Sequence, residues 1–223
     1  MRLEYHNVTR ASRQDPRANQ KARTRTAIVE AAARLLARTG PPTVAEAADE
    51  ARVSKATAYR YFPTSEALLL EISDLGPAVA PVEAALAALP AALSPEGRLL
   101  HLIDVFAPVV LMNEVPMRVA LRVYLETWLR DRKTERASVP VREGRRIRWL
   151  DVVLAPARRE LGEARFLRLR SALAFIIGIE ARVVLKDVCR IEDEGEALAV
   201  QRWAASALLR AALDEVEKPR RRA

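Results

Sequence analysis

Val53-Ser-Lys-Ala-Thr-Ala-Tyr-Arg-Tyr-Phe-Pro63 decides how this chain reads. Ser54 is a good helix N-cap and Pro63 cannot continue a helix, so a short helix is expected over about 55–62. It carries Lys55, Thr57, Tyr59, Arg60 and Tyr61, a dense set of long polar and aromatic side chains. Val53, Ala58 and Phe62 are left to face inward. Just upstream, Thr43-Val-Ala-Glu46 has the spacing of a capping box: the threonine hydroxyl caps a helix over about 44–51 and the glutamate reaches back. Arg52-Val53-Ser54 is then the turn. Two short helices joined this way predict a helix-turn-helix whose second helix fits a DNA major groove.

Further out, Ile28, Ala31, Ala32, Leu35 and Leu36 recur at helical spacing and predict a first helix over about Lys21–Arg38. Gly40 suits the left-handed residue after its end, and Pro41-Pro42 prevents continuation. Thr64 caps a fourth helix to about Leu75. Residues 21–75 thus read as a helix-turn-helix domain. Residues 1–20 are polar and patternless and are expected to be a disordered arm. Residues 1–62 carry twelve Lys and Arg against six Asp and Glu, so most of the net charge of +8 sits in this part, where phosphate neutralisation needs it.

Gly76-Pro77 breaks the chain, and residues 76–223 read as a larger helical domain. Helices are expected over about 81–89, from the Ser94-Pro95-Glu96 start, over 116–133, and over 142–161 with a kink at Pro156. A polar link occupies 134–141. Two long helices, about 163–188 and 196–217, finish the chain. Both are apolar on more than one face, so each must be covered on two sides. Ile176, Ile177, Val184 and Val188 on the first, and Trp203, Leu208 and Leu209 on the second, are candidates for a four-helix interface between two subunits. The alternative is a well-buried hairpin within one chain. Met117, Leu121, Tyr124 and Trp128 form a stripe which, with Phe106, Trp149 and Phe175, could line an apolar ligand cavity; ordinary core is the competing reading.

The segments Ala31-Ala-Arg-Leu-Leu-Ala-Arg-Thr-Gly40, Thr43-Val-Ala-Glu-Ala-Ala48, Val53–Phe62 and Glu66-Ala-Leu-Leu69, in this order and spacing, resemble the TetR family of bacterial transcriptional regulators. That resemblance implies an all-α protein with an N-terminal three-helix DNA-binding domain and a helical ligand-sensing and dimerisation domain. It implies a cytoplasmic homodimer that reads a palindromic operator in double-stranded DNA, represses by default, and is released by an apolar or amphipathic small molecule. By residue type, Lys55 and Thr57 lie nearest the base edges, Arg60 reaches base or backbone, and Tyr59 and Tyr61 donate to phosphate or stack. Arg23, Arg25, Thr43, Arg52, Ser54 and Ser65 complete the expected DNA contacts. Two positions depart from the family pattern: Arg52 stands where the turn usually has Gly, and Ser65 where a Lys usually meets a phosphate. They leave open an alternative, a helical interaction module whose helix-turn-helix no longer binds DNA specifically.

Composition excludes other classes. Half of the 223 residues are apolar, enough for a sizeable core. With two His, one Cys and no phosphate-cradling glycine loop, most metal and nucleophile chemistries lack their parts, so neither enzyme activity, metal nor cofactor is expected. The acidic run Glu192-Asp-Glu194 with Glu196 reads as a solvated loop. Cys189, late in an apolar helix, reads as a small core residue. No apolar run approaches the roughly 18 residues of a membrane span.

Overall fold

The computed structural model describes residues 16–73, 76–131 and 144–220, and every regular element among them is helical. The chain divides into two compact units between Ile72 and Ser73.

The first unit holds α1 (Pro16–Thr39), α2 (Val44–Glu50), α3 (Lys55–Tyr61) and α4 (Ser65–Ile72). Helix α1 starts earlier than its apolar period does, so residues 16–20, expected in the arm, are helical; residues 1–15 lie outside the described residues. A small core of Ile28, Ala32, Val44, Ala47, Ala48, Ala58, Phe62 and Leu68 joins all four helices. Alanines at 47, 48 and 58 let the three short helices approach closely. The capping box forms: the Thr43 hydroxyl accepts from the Glu46 N–H, and the Glu46 carboxylate accepts from the Thr43 N–H at 2.7 Å. Those bonds hold the Glu46 carboxyl below its usual range.

The turn between α2 and α3 is a Schellman motif. The Val53 N–H donates to the Ala48 carbonyl and the Arg52 N–H to the Asp49 carbonyl. This geometry puts Arg52 at φ 55, the left-handed region that suits glycine. A side chain there costs about 1 kcal/mol. Arg52→Gly is therefore expected to raise the stability of this unit by about 1 kcal/mol in urea unfolding. Equal or lower stability would show that the arginine side chain compensates inside the fold.

The second unit holds α5 (Gly76–Ala87), α6 (Pro95–Met112), α7 (Glu114–Asp131), α8 (Arg145–Leu161), α9 (Glu163–Ile176), α10 (Ile179–Val183), a π-helix (Val184–Val188) and α11 (Glu194–Arg220). Helices α6, α8, α9 and α11 pack together around Leu99, Leu102, Leu150, Leu154, Leu161, Phe166, Leu173 and Leu209. Phe106 and Trp149 meet edge-to-face in this core, ring centres 5.0 Å apart. The polar link expected over 134–141 lies outside the described residues.

Prolines 81, 108 and 156 each sit inside a helix, with an exposed ring. On the solvent side the carbonyl that loses its donor can bind water instead. The long helix expected over 163–188 is broken at Ile177-Gly178. Gly178 adopts φ 108, and a Cβ built on it would lie 2.8 Å from the Arg146 guanidinium. That guanidinium donates to the Ile177 carbonyl at 2.6 Å and to Glu180, while the Gln201 amide donates to the Ile176 carbonyl at 2.8 Å. Carbonyls freed by the break are thus recapped by α8 and α11.

Candidate nucleic-acid interface and ligand cavity

In the first unit α3 turns Ala58 and Phe62 inward and leaves Lys55, Ala56, Tyr59 and Arg60 exposed. Thr57 and Tyr61 are half-buried at the edge of that face. The Ser54 hydroxyl accepts from the Thr57 N–H at 3.2 Å and donates to the Thr57 hydroxyl at 2.9 Å, which fixes the helix start. Lys55 lies 3.6 Å from Asp49 across the turn, both well exposed, an ion pair worth little in water. The Arg60 guanidinium stacks on the Tyr61 ring.

The flanking candidates differ in how free they are. Arg23 and Arg52 are exposed. Arg25 is half-exposed, pairs with Glu71, and lies over the Phe62 ring at 5.5 Å, so it also holds α1 on α3 and α4. The Thr43 hydroxyl proton goes to Glu46. Ser65 is half-buried, and its hydroxyl accepts weakly from the Val44 N–H at 3.4 Å. Arg34 and Arg38, which the sequence reading did not single out, both reach Glu50 at 3.3 Å. One carboxylate there faces two guanidinium groups, so half of their charge is compensated.

In the second unit the aromatic stripe does not converge on a cavity. Phe106 and Trp149 are core, Met117 and Leu121 are half-buried against it, and Tyr124 is half-buried. Trp128 is 47% and Phe175 77% exposed. A stripe at helical spacing fixes a face but not what that face meets. A cavity of about 40 Å³ lies elsewhere, at the break between α9 and α10. Of the expected residues only Phe106 lines it, together with Ile103, Val110, Leu185, Leu198 and the polar side chains of Arg182, Glu194 and Gln201.

The interface candidates also divide. Ile177 and Leu209 are buried in the unit's own core, and Ile176 and Leu208 pack half-buried against it. Val184, Val188 and Trp203 are 50%, 72% and 69% exposed, and Phe175, expected in the cavity, is 77% exposed near the end of α9. The Gln201–Ile176 hydrogen bond places this part of α11 against the end of α9. Cys189, expected in the core, is exposed. The π-helix ends there, and the backbone turns through Arg190 at φ 61.

An ionic cluster lies behind the cavity. Arg182 is 7% exposed; its Nε donates to Glu114 at 3.0 Å and its two Nη atoms grip both carboxylate oxygens of Glu194. Arg118 donates to Glu114 at 2.8 Å and forks onto Asp187 at 2.6 and 2.8 Å. Lys186 is 3.8 Å from Glu114. Burial tends to raise the Glu114 carboxyl, but the hydrogen bonds from Arg182 and Arg118 outweigh it and hold the group below its ordinary range. The sequence reading missed this cluster because its members lie on four elements up to 80 positions apart. Glu194, read as solvated, is one of them, while Asp193 caps α11 by accepting from the Glu196 N–H at 2.7 Å.

Among the described residues no helix alone is long and apolar enough to cross a membrane, and no group of His, Cys, Asp and Glu could hold a metal ion.

Residues 28–72, the span of the small alanine-rich core, match the family described as bacterial regulatory proteins, tetR family. None of the curated proteins matches the chain significantly. Among solved structures, a chain assigned to the TetR family of transcriptional regulators from Mesorhizobium loti MAFF303099 is 20% identical, with TM-score 0.62, covering 86% of this chain and 98% of that one. A TetR transcriptional regulator from Rhodococcus sp. RHA1 is also 20% identical, with TM-score 0.51 over 85% of this chain and 97% of that one. At these identities the solved structures speak for the fold alone, and the family match is confined to residues 28–72. Residues 28–72 are thus similar to the N-terminal domain of bacterial regulatory proteins of the tetR family, and the whole chain shares an all-helical fold with these two solved structures.

Proposed function

We propose that this protein is a ligand-responsive transcriptional repressor which binds a palindromic operator as a homodimer. The observation that carries the reading is the exposed face of α3, where Lys55, Tyr59 and Arg60 stand on a helix locked from behind by Ala58 and Phe62. In this reading Lys55 takes guanine O6 and N7, and Thr57 offers its hydroxyl or methyl to a neighbouring base. Tyr59, Arg60 and Tyr61 hold the flanking backbone or base edges. Arg23, Arg25, Thr43, Arg52, Ser54 and Ser65 meet phosphates, Thr43 after exchanging its bond to Glu46. Two such helices about 34–36 Å apart read the two half-sites of one operator.

The second unit supplies the subunit contact, through Phe175, Val184, Val188 and Trp203, and the sensor. A ligand there favours a helix separation that misses the half-site spacing. Coupling of about 1–3 kcal/mol is the usual scale of such switching. A cytoplasmic location goes with this role.

Footprinting and gel-shift titration of DNA around the protein's own coding region test the reading. A discrete palindromic footprint is expected, with log affinity falling steeply against log salt. Lys55→Ala should weaken operator binding by about 1–3 kcal/mol, roughly 5- to 150-fold, and relax specificity at one position of each half-site. Weak binding that is indifferent to both Lys55→Ala and Tyr59→Ala would identify the interaction module instead.

A further inference from the structure

The cavity at the α9–α10 break has a fixed cation and a removable anion. Arg182 is 7% exposed and cannot swing into water: its Nε is held by Glu114, which Arg118 and Lys186 hold in turn. Glu194, which fills the outer fork of the same guanidinium, is 46% exposed and sits in the first turn of α11. Its carboxylate can leave for water at little cost, whereas the buried guanidinium left behind demands a replacement. An incoming carboxylate restores the planar two-pronged pairing that Arg makes best. Around this fork the wall is apolar, from Phe106, Val110, Leu185 and Leu198. A cationic ligand finds no such opening, because the deeper carboxylate, Glu114, is already held by three cations.

From this geometry we infer that the cavity binds a small amphipathic carboxylate, whose head displaces Glu194 from Arg182 and whose apolar tail enters the space beside Phe106. The inference deepens the sensor role proposed above by naming the ligand class. It also gives the switch a mechanical form: the exchange unties the start of α11 from α10, and α11 is the helix that carries Trp203.

The test titrates the full-length protein with hexanoate, hexan-1-ol and hexylamine at constant ionic strength, by calorimetry and by thermal unfolding. Hexanoate is expected to bind saturably and raise the Tm, with affinity at least about tenfold above the other two, the scale of one well-made charged pair. Glu194→Gln removes the internal competitor and is expected to tighten hexanoate at least about threefold. Glu194→Asp, which shortens the competing arm, moves affinity in the same direction and serves if the first variant does not fold. Ala107 on α6 also lines the cavity, so Ala107→Leu fills part of it and is expected to weaken hexanoate at least about tenfold. Equal binding of the alcohol or the amine, or unchanged or weaker hexanoate binding in both Glu194 variants, overturns the inference. No DNA enters these measurements, so a failure here is separate from a failure of operator binding.

Discussion

A chain carrying both Phe175→Asp and Trp203→Glu is expected to sediment as a monomer at concentrations where the parent is a dimer. In the single chain these rings are 77% and 69% exposed, so charges there disturb no intramolecular packing, and the thermal unfolding midpoint should hardly move. Across a subunit contact the same rings become buried anchors, each worth about 2 kcal/mol or more. Each ring occurs twice in a twofold contact, so losing both raises the dimer dissociation constant by at least about a thousandfold. Affinity for the palindrome should then collapse towards that for an isolated half-site, with α3 itself untouched. A double variant that remains a dimer would remove this face from the interface and return the second unit to the reading of a self-contained hairpin.

The second large effect is on stability. Arg182→Met is expected to cost the second unit about 1–3 kcal/mol in denaturant unfolding, since it takes one charged donor from the Glu114 carboxylate, whose side chain is only 15% exposed and which keeps Arg118 and Lys186. Adding Glu114→Gln to that variant should recover part of the loss, because a neutral amide needs less compensation in this site than the incompletely paired charge. pH reports on the same cluster. Folded Glu114 titrates below its ordinary value, so the unfolded chain takes up the proton first as pH falls. The stabilisation is complete above the unfolded value of about 4.5 and drains away as pH drops through the lower folded value. Stability should be flat from neutrality to about pH 5 and decline below it, and the decline should be shallower in Arg182→Met. An equally steep acid limb in the variant would assign it to carboxylates outside the cluster.

The α3 surface was legible before the structure because its signals are local. A capping box needs only Thr43 and Glu46 three residues apart, Ser54 caps through the N–H of Thr57, and the Schellman turn spans Ala48–Val53. Each involves atoms within five residues, so residue order alone settles it. Even the departure at Arg52 could be read as a left-handed position, which its φ of 55 bears out.

Farther along the chain that logic stops working. Helices apolar nearly all round were legible as helices, but periodicity cannot say which apolar face meets core, cavity or solvent. Ile177 and Leu209 went to the core, while Phe175 and Trp203, equally apolar, did not. Gly178 carried the one local hint of a break, yet whether a glycine interrupts a helix depends on whether something recaps the freed carbonyls, and here Arg146 and Gln201 arrive from 31 and 25 positions away. The cavity beside Arg182 exists for the same reason. Sequence by itself determined the elements and the α3 face of the first unit, through contacts of short reach. Only the tertiary structure decided the broken helix, the ionic cluster and the cavity beside Arg182, because each depends on partners brought together across the chain.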